Sequence, residues 1–217
     1  QYEQSFDYGQ IVDIKIDAQD LSEPPNIMPQ LHYTFTIENE QAGSQFANGP
    51  EGNSINYIEK NEARWNTAYE NENIVYQILS SAYSMDGDKP GEYSVFQDSS
   101  YLGFNFSLRV HTDENLSETS TADFVLLFSY QDDNNFYYIV CNQNGYWSRL
   151  YKVENGSRTE VASIGNSLIM DNDWHTFTIK YDISKLSLKR DGTAVFEISN
   201  INLASGKFGF GSEDDMV

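Results

Sequence analysis

A single cysteine, Cys141, excludes an intramolecular disulfide, so burial rather than covalent stapling must hold this chain together. No stretch approaches the roughly 18 consecutive apolar residues that a membrane-spanning helix needs, and membrane insertion is not expected. No cleavable leader is visible, and the opening at Gln1 rather than Met is what a processed or trimmed chain would show. Basic residues are scarce: 13 Lys and Arg stand against 33 Asp and Glu, a net charge of -20 spread along the whole length. Such a field repels nucleic acid and anionic membrane surfaces, which excludes those partners, and it favours divalent cations and a soluble life in salty medium. Helical periodicity is weak throughout. No CxxC, HExxH or EF-hand loop is present to hold a metal, and no GxSxG nucleophile elbow.

What is present is apolar and aromatic. Hydrophobic residues make up 39% of the 217, with 15 Tyr and 13 Phe, enough for one core and far too much for disorder. The length suits one all-β domain over residues 1–217. From about residue 93 onward, apolar and polar residues alternate in short runs separated by turns, the pattern of half-buried antiparallel strands. Phe104, Phe106, Leu108 and Val110 share one strand face, with Asn105, Ser107, Arg109 and His111 opposite. Phe124, Leu126, Phe128 and Tyr130 repeat the pattern, with Ser129 and Gln131 opposite.

The turn Gln131–Asn135 leads into the strand FYYIV, and Asn144-Gly145 signals a tight hairpin before a strand over Tyr146–Val153. The turn Glu154–Gly156 closes that strand. Further strands are expected over Trp174–Tyr181, Lys185–Lys189, Thr193–Ile198 and Lys207–Gly211, with Asp191-Gly192 as a hairpin turn. The first 60 residues are less regular, with strands over Ile11–Ile16 and His32–Ile37 and a polar loop over residues 39 to 63. Adjacent strands joined by tight turns point to an antiparallel β-sandwich or jelly roll.

The stretch DFVLLFSYQDDNNFYYIVCNQNGYWSRLYKVENG, Asp123 to Gly156, resembles the concanavalin A-like jelly-roll domains of the laminin-G and polysaccharide-lyase type. Trp174–Ile179, Asp191-Gly192 and Gly206–Phe210 continue the same order, so the resemblance covers about the last 125 residues, with a weaker match near Trp65 and Tyr76. In general layout the chain is most similar to glucuronan-lyase-like and cellulose-induced secreted proteins. Those relatives usually carry Arg where Ser129 stands here, which removes one candidate cation.

The resemblance implies a secreted or cell-surface, monomeric protein that meets polysaccharide in the groove of a concave sheet. It also implies one structural calcium ion tying the chain ends together, with Glu38 as the early ligand and Asp214 or Asp215 as the late one; carboxylates are the hard oxygen donors calcium takes. If Phe104, Phe128, Leu150 and Ile179 face the core, then Asn105, Ser107, Arg109, Ser129, Gln131, Arg149, Tyr151, Thr178 and Lys180 make a polar, locally basic set on the opposite faces. Asn105, Arg109, Gln131, Arg149 and Lys180 are the expected glycan contacts, with Trp147 to stack a sugar ring.

Three functions fit. The first is a glycan-binding domain without catalysis, since the Glu-x-Asp-x-x-Glu strand by which jelly-roll hydrolases present two carboxylates does not occur. The second is a lyase cleaving a uronic-acid polymer by β-elimination, with Arg109, Gln131 and Arg149 neutralising the carboxylate and Tyr137, Tyr138 or His111 as base and acid. The third is an adhesion or structural domain with no ligand, because fold does not decide function.

Overall fold

Alternating apolar residues, aromatic side chains and Asx-Gly turns divide the chain into short strands. The computed structural model describes residues 11–17, 31–36, 57–61, 65–70, 73–78, 85, 87–96, 100–111, 123–142, 148–165, 172–182 and 184–213. Among them are fifteen strands. They are β1 (Ile11–Asp17), β2 (Leu31–Thr36), β3 (Tyr57–Glu59), β4 (Trp65–Glu70), β5 (Asn73–Ile78), β6 (Glu92–Phe96), β7 (Phe104–Val110) and β8 (Asp123–Asp132). There follow β9 (Asn135–Asn142), β10 (Ser148–Glu154), β11 (Ser157–Gly165), β12 (His175–Asp182), β13 (Lys185–Arg190), β14 (Thr193–Ser199) and β15 (Lys207–Ser212).

A six-stranded sheet has the order β14-β13-β12-β7-β1-β2, and a seven-stranded sheet the order β11-β10-β9-β8-β15-β6-β3; β4 and β5 form a hairpin of their own. Every pairing in the two large sheets is antiparallel. Consecutive hairpins build one side of each sheet. Long connections insert β7 between β12 and β1, and β15 between β8 and β6, which is the strand exchange of a jelly roll. The fold is an antiparallel jelly-roll sandwich, as the resemblance implied.

The core lies between the two large sheets. Phe104 and Phe106 of β7, Phe177 and Ile179 of β12 and Leu186 and Leu188 of β13 meet Phe124, Leu126 and Phe128 of β8, Ile139 of β9, Leu150 of β10 and Phe208 of β15. Phe208 stacks on Phe106 at 5.2 Å and meets Phe104 edge-on at 4.5 Å, so the inserted strand β15 locks the two layers together. Cys141 sits in this core as a small apolar side chain, its thiol pushed up by burial.

Two hairpin turns show why their residues are Asx-Gly. Asn155 and Gly156 have φ of 52° and 80°, and Asp191 and Gly192 have 51° and 79°, the paired positive angles of a type I′ turn. Two details differ from expectation. β3 lies inside the expected loop over residues 39 to 63, and Ser157–Gly165 is a strand where none was expected.

Candidate functional site

The central strands of the seven-stranded sheet are buried on both faces. Val125, Leu127, Phe136, Tyr138, Val140 and Val153 point away from the six-stranded sheet, yet together with Tyr93 and Val95 they form a second buried cluster. This corrects the expectation of a polar outer face. The runs FVLLF in β8 and FYYIV in β9 are continuously apolar, as strands covered on both sides are.

A β-bulge decides which aromatic residues join that face. The β8–β9 register breaks between Phe128 and Asp132, and Ser129 takes a φ of 50°. Without the bulge, Tyr130 would follow Phe124, Leu126 and Phe128 into the core. With it, Tyr130 packs on the outer cluster and Ser129 is buried, its hydroxyl lacking a hydrogen-bond partner among the described residues. Gly206 accommodates the bulge: a Cβ there would lie 2.3 Å from the Ser129 carbonyl carbon.

The result is a row of rings across the sheet. Tyr93 lies 6.1 Å from Tyr130 and 6.0 Å from Phe136, Tyr130 is 5.7 Å from Phe136, Phe136 is 6.0 Å from Tyr138, and Tyr138 is 5.2 Å from Tyr151. Charged groups hold its polar ends. Asp133 Oδ1 accepts from Tyr93 Oη at 2.7 Å and from Tyr130 Oη. Arg158 Nη1 donates to Tyr138 Oη at 3.0 Å and to Glu213 Oε1 at 3.2 Å, while the guanidinium covers the Tyr151 ring at 4.5 Å. Burial, then hydrogen bonding to Asp133, pushes the Tyr93 and Tyr130 hydroxyls well up, and burial with the Glu213 charge does the same to Tyr138.

Met85 and residues 87–91 are tied along this face. Asp88 Oδ2 accepts from the Arg158 backbone at 3.2 Å, Lys89 Nζ reaches Asn134 Oδ1 at 3.5 Å, Pro90 accepts from Lys60 Nζ at 3.0 Å, and Gly91 donates to the Glu213 carbonyl. The tips of the β8–β9 and β10–β11 hairpins are stitched by Gly156 N–H to the Asn134 carbonyl at 3.0 Å and Asn155 N–H to Asn135 Oδ1 at 3.2 Å. The accessible part of the face is therefore its margin: half-buried Tyr130 and Tyr151, exposed Gln131 and Asp133, and Arg149, which pairs with Glu160 at 3.2 Å.

The expected glycan contacts fall on two surfaces. Asn105, Arg109 and Lys180 lie together on the outer face of the six-stranded sheet, where Lys180 and Asn105 are register partners and Ser107 bonds Thr178 at 2.7 Å. Gln131 and Arg149 belong to the seven-stranded sheet, and Trp147 lies outside the described residues. The expected single set on one sheet face is thus not formed.

The catalytic candidates divide in the same way. Tyr137 faces the core, stacked on Phe128 at 6.0 Å and covered by Lys152, and burial raises its hydroxyl. Its neighbour Tyr138 faces outward and is fully buried. His111 is on the other sheet's side, stacked on Trp174 at 5.1 Å, with Arg109 also over the Trp174 ring at 5.1 Å. Beside them Asp191, its carboxyl lowered by the Thr176 N–H and by His175, joins His175 Nδ1 at 2.7 Å, and Arg190 Nη2 lies 2.6 Å from His175 Nε2. These contacts tie the start of β12 to the β13–β14 turn.

The calcium candidates Glu38, Asp214 and Asp215 lie outside the described residues, and among the described residues no group of three or more His, Cys, Asp or Glu is placed to hold a metal. No described helix is long and apolar enough to cross a membrane. Sequence reasoning missed Tyr93, Asp133, Arg158 and Glu213. The turn holding Asp133 was legible as a turn, but its partners are distant in the chain.

No family model and no curated protein matches the sequence. Solved structures do match. The carbohydrate-binding module CBM66 from Bacillus subtilis superposes with a TM-score of 0.54 at 18% identity, over 74% of this chain and 89% of that one. A β-glucanase from Bacillus licheniformis is a looser likeness, with a TM-score of 0.46 at 13% identity over 81% of this chain and 87% of that one. At such identities the likeness is one of fold.

Proposed function

We propose that this chain is an extracellular polysaccharide-binding domain without catalytic activity, its glycan lying along the margin of the outer face of the seven-stranded sheet. The observation that carries this reading is the pair of half-buried rings at that margin, Tyr130 and Tyr151, backed by the buried Tyr93, Phe136 and Tyr138 and flanked by hydrogen-bonded charged groups. Aromatic surface receives the C–H face of a sugar ring while fixed acceptors and donors read its hydroxyls, the mixture of apolar lining and few polar groups typical of small-ligand sites. The shared fold with a carbohydrate-binding module agrees with it. The lyase alternative has less support, because Arg109 and His111 stand on one sheet and Gln131, Arg149 and the two tyrosines on the other.

Affinity electrophoresis through gels carrying different polysaccharides tests the reading. Retardation by at least one polymer, with no release of reducing ends or of ultraviolet-absorbing unsaturated uronide, is expected; Tyr151→Ala should weaken it about tenfold. Migration unaffected by every polymer would overturn the proposal in favour of a domain without ligand, and uronide release would establish the lyase.

The calcium ion belongs to the same proposal, since the donor chemistry of Glu38 with Asp214 or Asp215 suits it. Calcium bound only by the folded chain would add about 2.7 kcal/mol at a hundredfold excess over Kd. A melting temperature unmoved by EDTA, in protein shown to contain calcium beforehand, would remove it.

A further inference from the structure

We infer that Asp133 is the acceptor that anchors the glycan, and that the ligand is therefore an uncharged polysaccharide rather than a uronate or sulfated one. This rests on reading the outer face of the seven-stranded sheet as the glycan surface. Asp133 stands on the exposed β8–β9 turn, and its Oδ1 takes both phenol hydroxyls, from Tyr93 and Tyr130. Those rings are themselves packed against each other and against Phe136, so the carboxylate is held in one orientation. Its second oxygen, Oδ2, has no partner among the described residues, although a carboxylate oxygen has lone pairs to accept further donors. Partial burial works against the charge, yet the two phenols, then Lys89 and Lys60, hold the carboxyl below its usual range. The open group is thus an ionised acceptor placed beside the half-buried Tyr130 ring.

The surrounding cations each have another acceptor, including Lys89 and Lys60, whose charges also act on Asp133. Arg149 pairs with Glu160, Arg158 pairs with Glu213, Lys89 reaches the Asn134 amide, and Lys60 bonds the Pro90 carbonyl. Asp132 uses both of its oxygens within the turn, on the Asn134 N–H at 2.8 Å and on Asn135 Nδ2 at 2.9 and 3.1 Å. A sugar hydroxyl can donate to Asp133 Oδ2, whereas a carboxylate or sulfate group can only repel it. The chain's net charge of -20 acts in the same direction at longer range. The bulge at Ser129 and the close approach of Gly206 become positioning features, because they turn Tyr130 toward Asp133.

The test compares neutral polymers, lichenan and levan, with the same polymers oxidised at their primary alcohols to carboxylates. Full-length protein should bind a neutral polymer about tenfold more tightly than its oxidised form at low salt. Asp133→Asn should lose about tenfold on the neutral polymer and narrow the neutral-to-oxidised ratio to about threefold or less, a change of preference that mere loosening of the turn would not produce. The double variant Tyr93→Phe with Tyr130→Phe keeps the charge but frees the carboxylate, so affinity should fall while the preference stays. Equal binding of oxidised polymer by the unaltered protein, or unchanged affinity and preference in Asp133→Asn, would overturn the inference and leave the glycan reading standing. Absence of binding to any polymer would overturn both.

Discussion

On the six-stranded sheet, the outward residues of β7 and β12 are Asn105, Ser107 and Arg109 beside Thr176, Thr178 and Lys180. On the seven-stranded sheet, the outward residues of β8 and β9 are Val125 and Leu127 beside Phe136, Tyr138 and Val140. One sheet therefore ends the protein at a solvated polar surface, with exposed pairs such as Lys180–Asp182 at 3.4 Å that contribute little to stability. The other carries a second apolar layer, rings and aliphatic side chains beneath a margin of hydrogen-bonded charges. An antiparallel sandwich needs only one buried face per sheet. The second buried face, with its strained bulge, is the part of the molecule that folding alone does not call for, and the ligand is proposed to bind along its margin.

The contrast can be broken by truncation. Tyr138→Ala removes a fully buried ring and the hydroxyl that joins Arg158 to Glu213, and should cost about 3–5 kcal/mol in denaturant unfolding. A loss below about 1 kcal/mol would mean that this face is not packed as a core.

Alkaline pH should reveal the same asymmetry. The Tyr93 and Tyr138 hydroxyls are raised in the folded state, so their contribution is complete below the unfolded tyrosine value of about 10 and is lost as pH rises above it. Each should lower stability by about 1.4 kcal/mol per pH unit there. In a spectrophotometric titration these tyrosines should ionise together with unfolding; free titration in the folded protein would contradict their burial.

Relieving the bulge should give a smaller effect of opposite sign. Ser129→Gly removes a left-handed strain and a buried hydroxyl without a partner among the described residues, so stability should increase by about 0.5–1 kcal/mol after the unfolded-state entropy of glycine is deducted. A decrease would show that the Ser129 side chain contributes packing that outweighs both costs. On the polar sheet, Thr178→Ala breaks only the bond to Ser107 and should cost about 1 kcal/mol or less by the same unfolding measurement. A cost near that of Tyr138→Ala would erase the difference between the faces.

Much of this fold can be read directly along the chain. The alternation of Phe104, Phe106 and Val110, the Asn155-Gly156 and Asp191-Gly192 turns and the order of strands from β8 to β15 follow from residues that are neighbours in sequence. Ser157–Gly165 was not expected to be a strand, because β11 is an edge strand whose half-exposed residues show no consistent alternation. The candidate site was legible only in kind: aromatic residues and a polar turn were evident, whereas their grouping was not. Arg109 and Arg149 looked equivalent as polar residues opposite apolar ones, but they end on different sheets.

The sequence by itself determined that this chain is an acidic, all-β sandwich without disulfides, because period-two alternation, turn chemistry and charge are local quantities. Only the tertiary structure decided which outer face became apolar and where Asp133 found its partners. A bulge can invert the facing of the residues beyond it. Here it turns Tyr130 away from the core, and a strand inserted from far along the chain, β15, brings β6 and Tyr93 alongside β8. Neither event leaves a pattern at short range, since each depends on residues that meet only when the two sheets close over their common core.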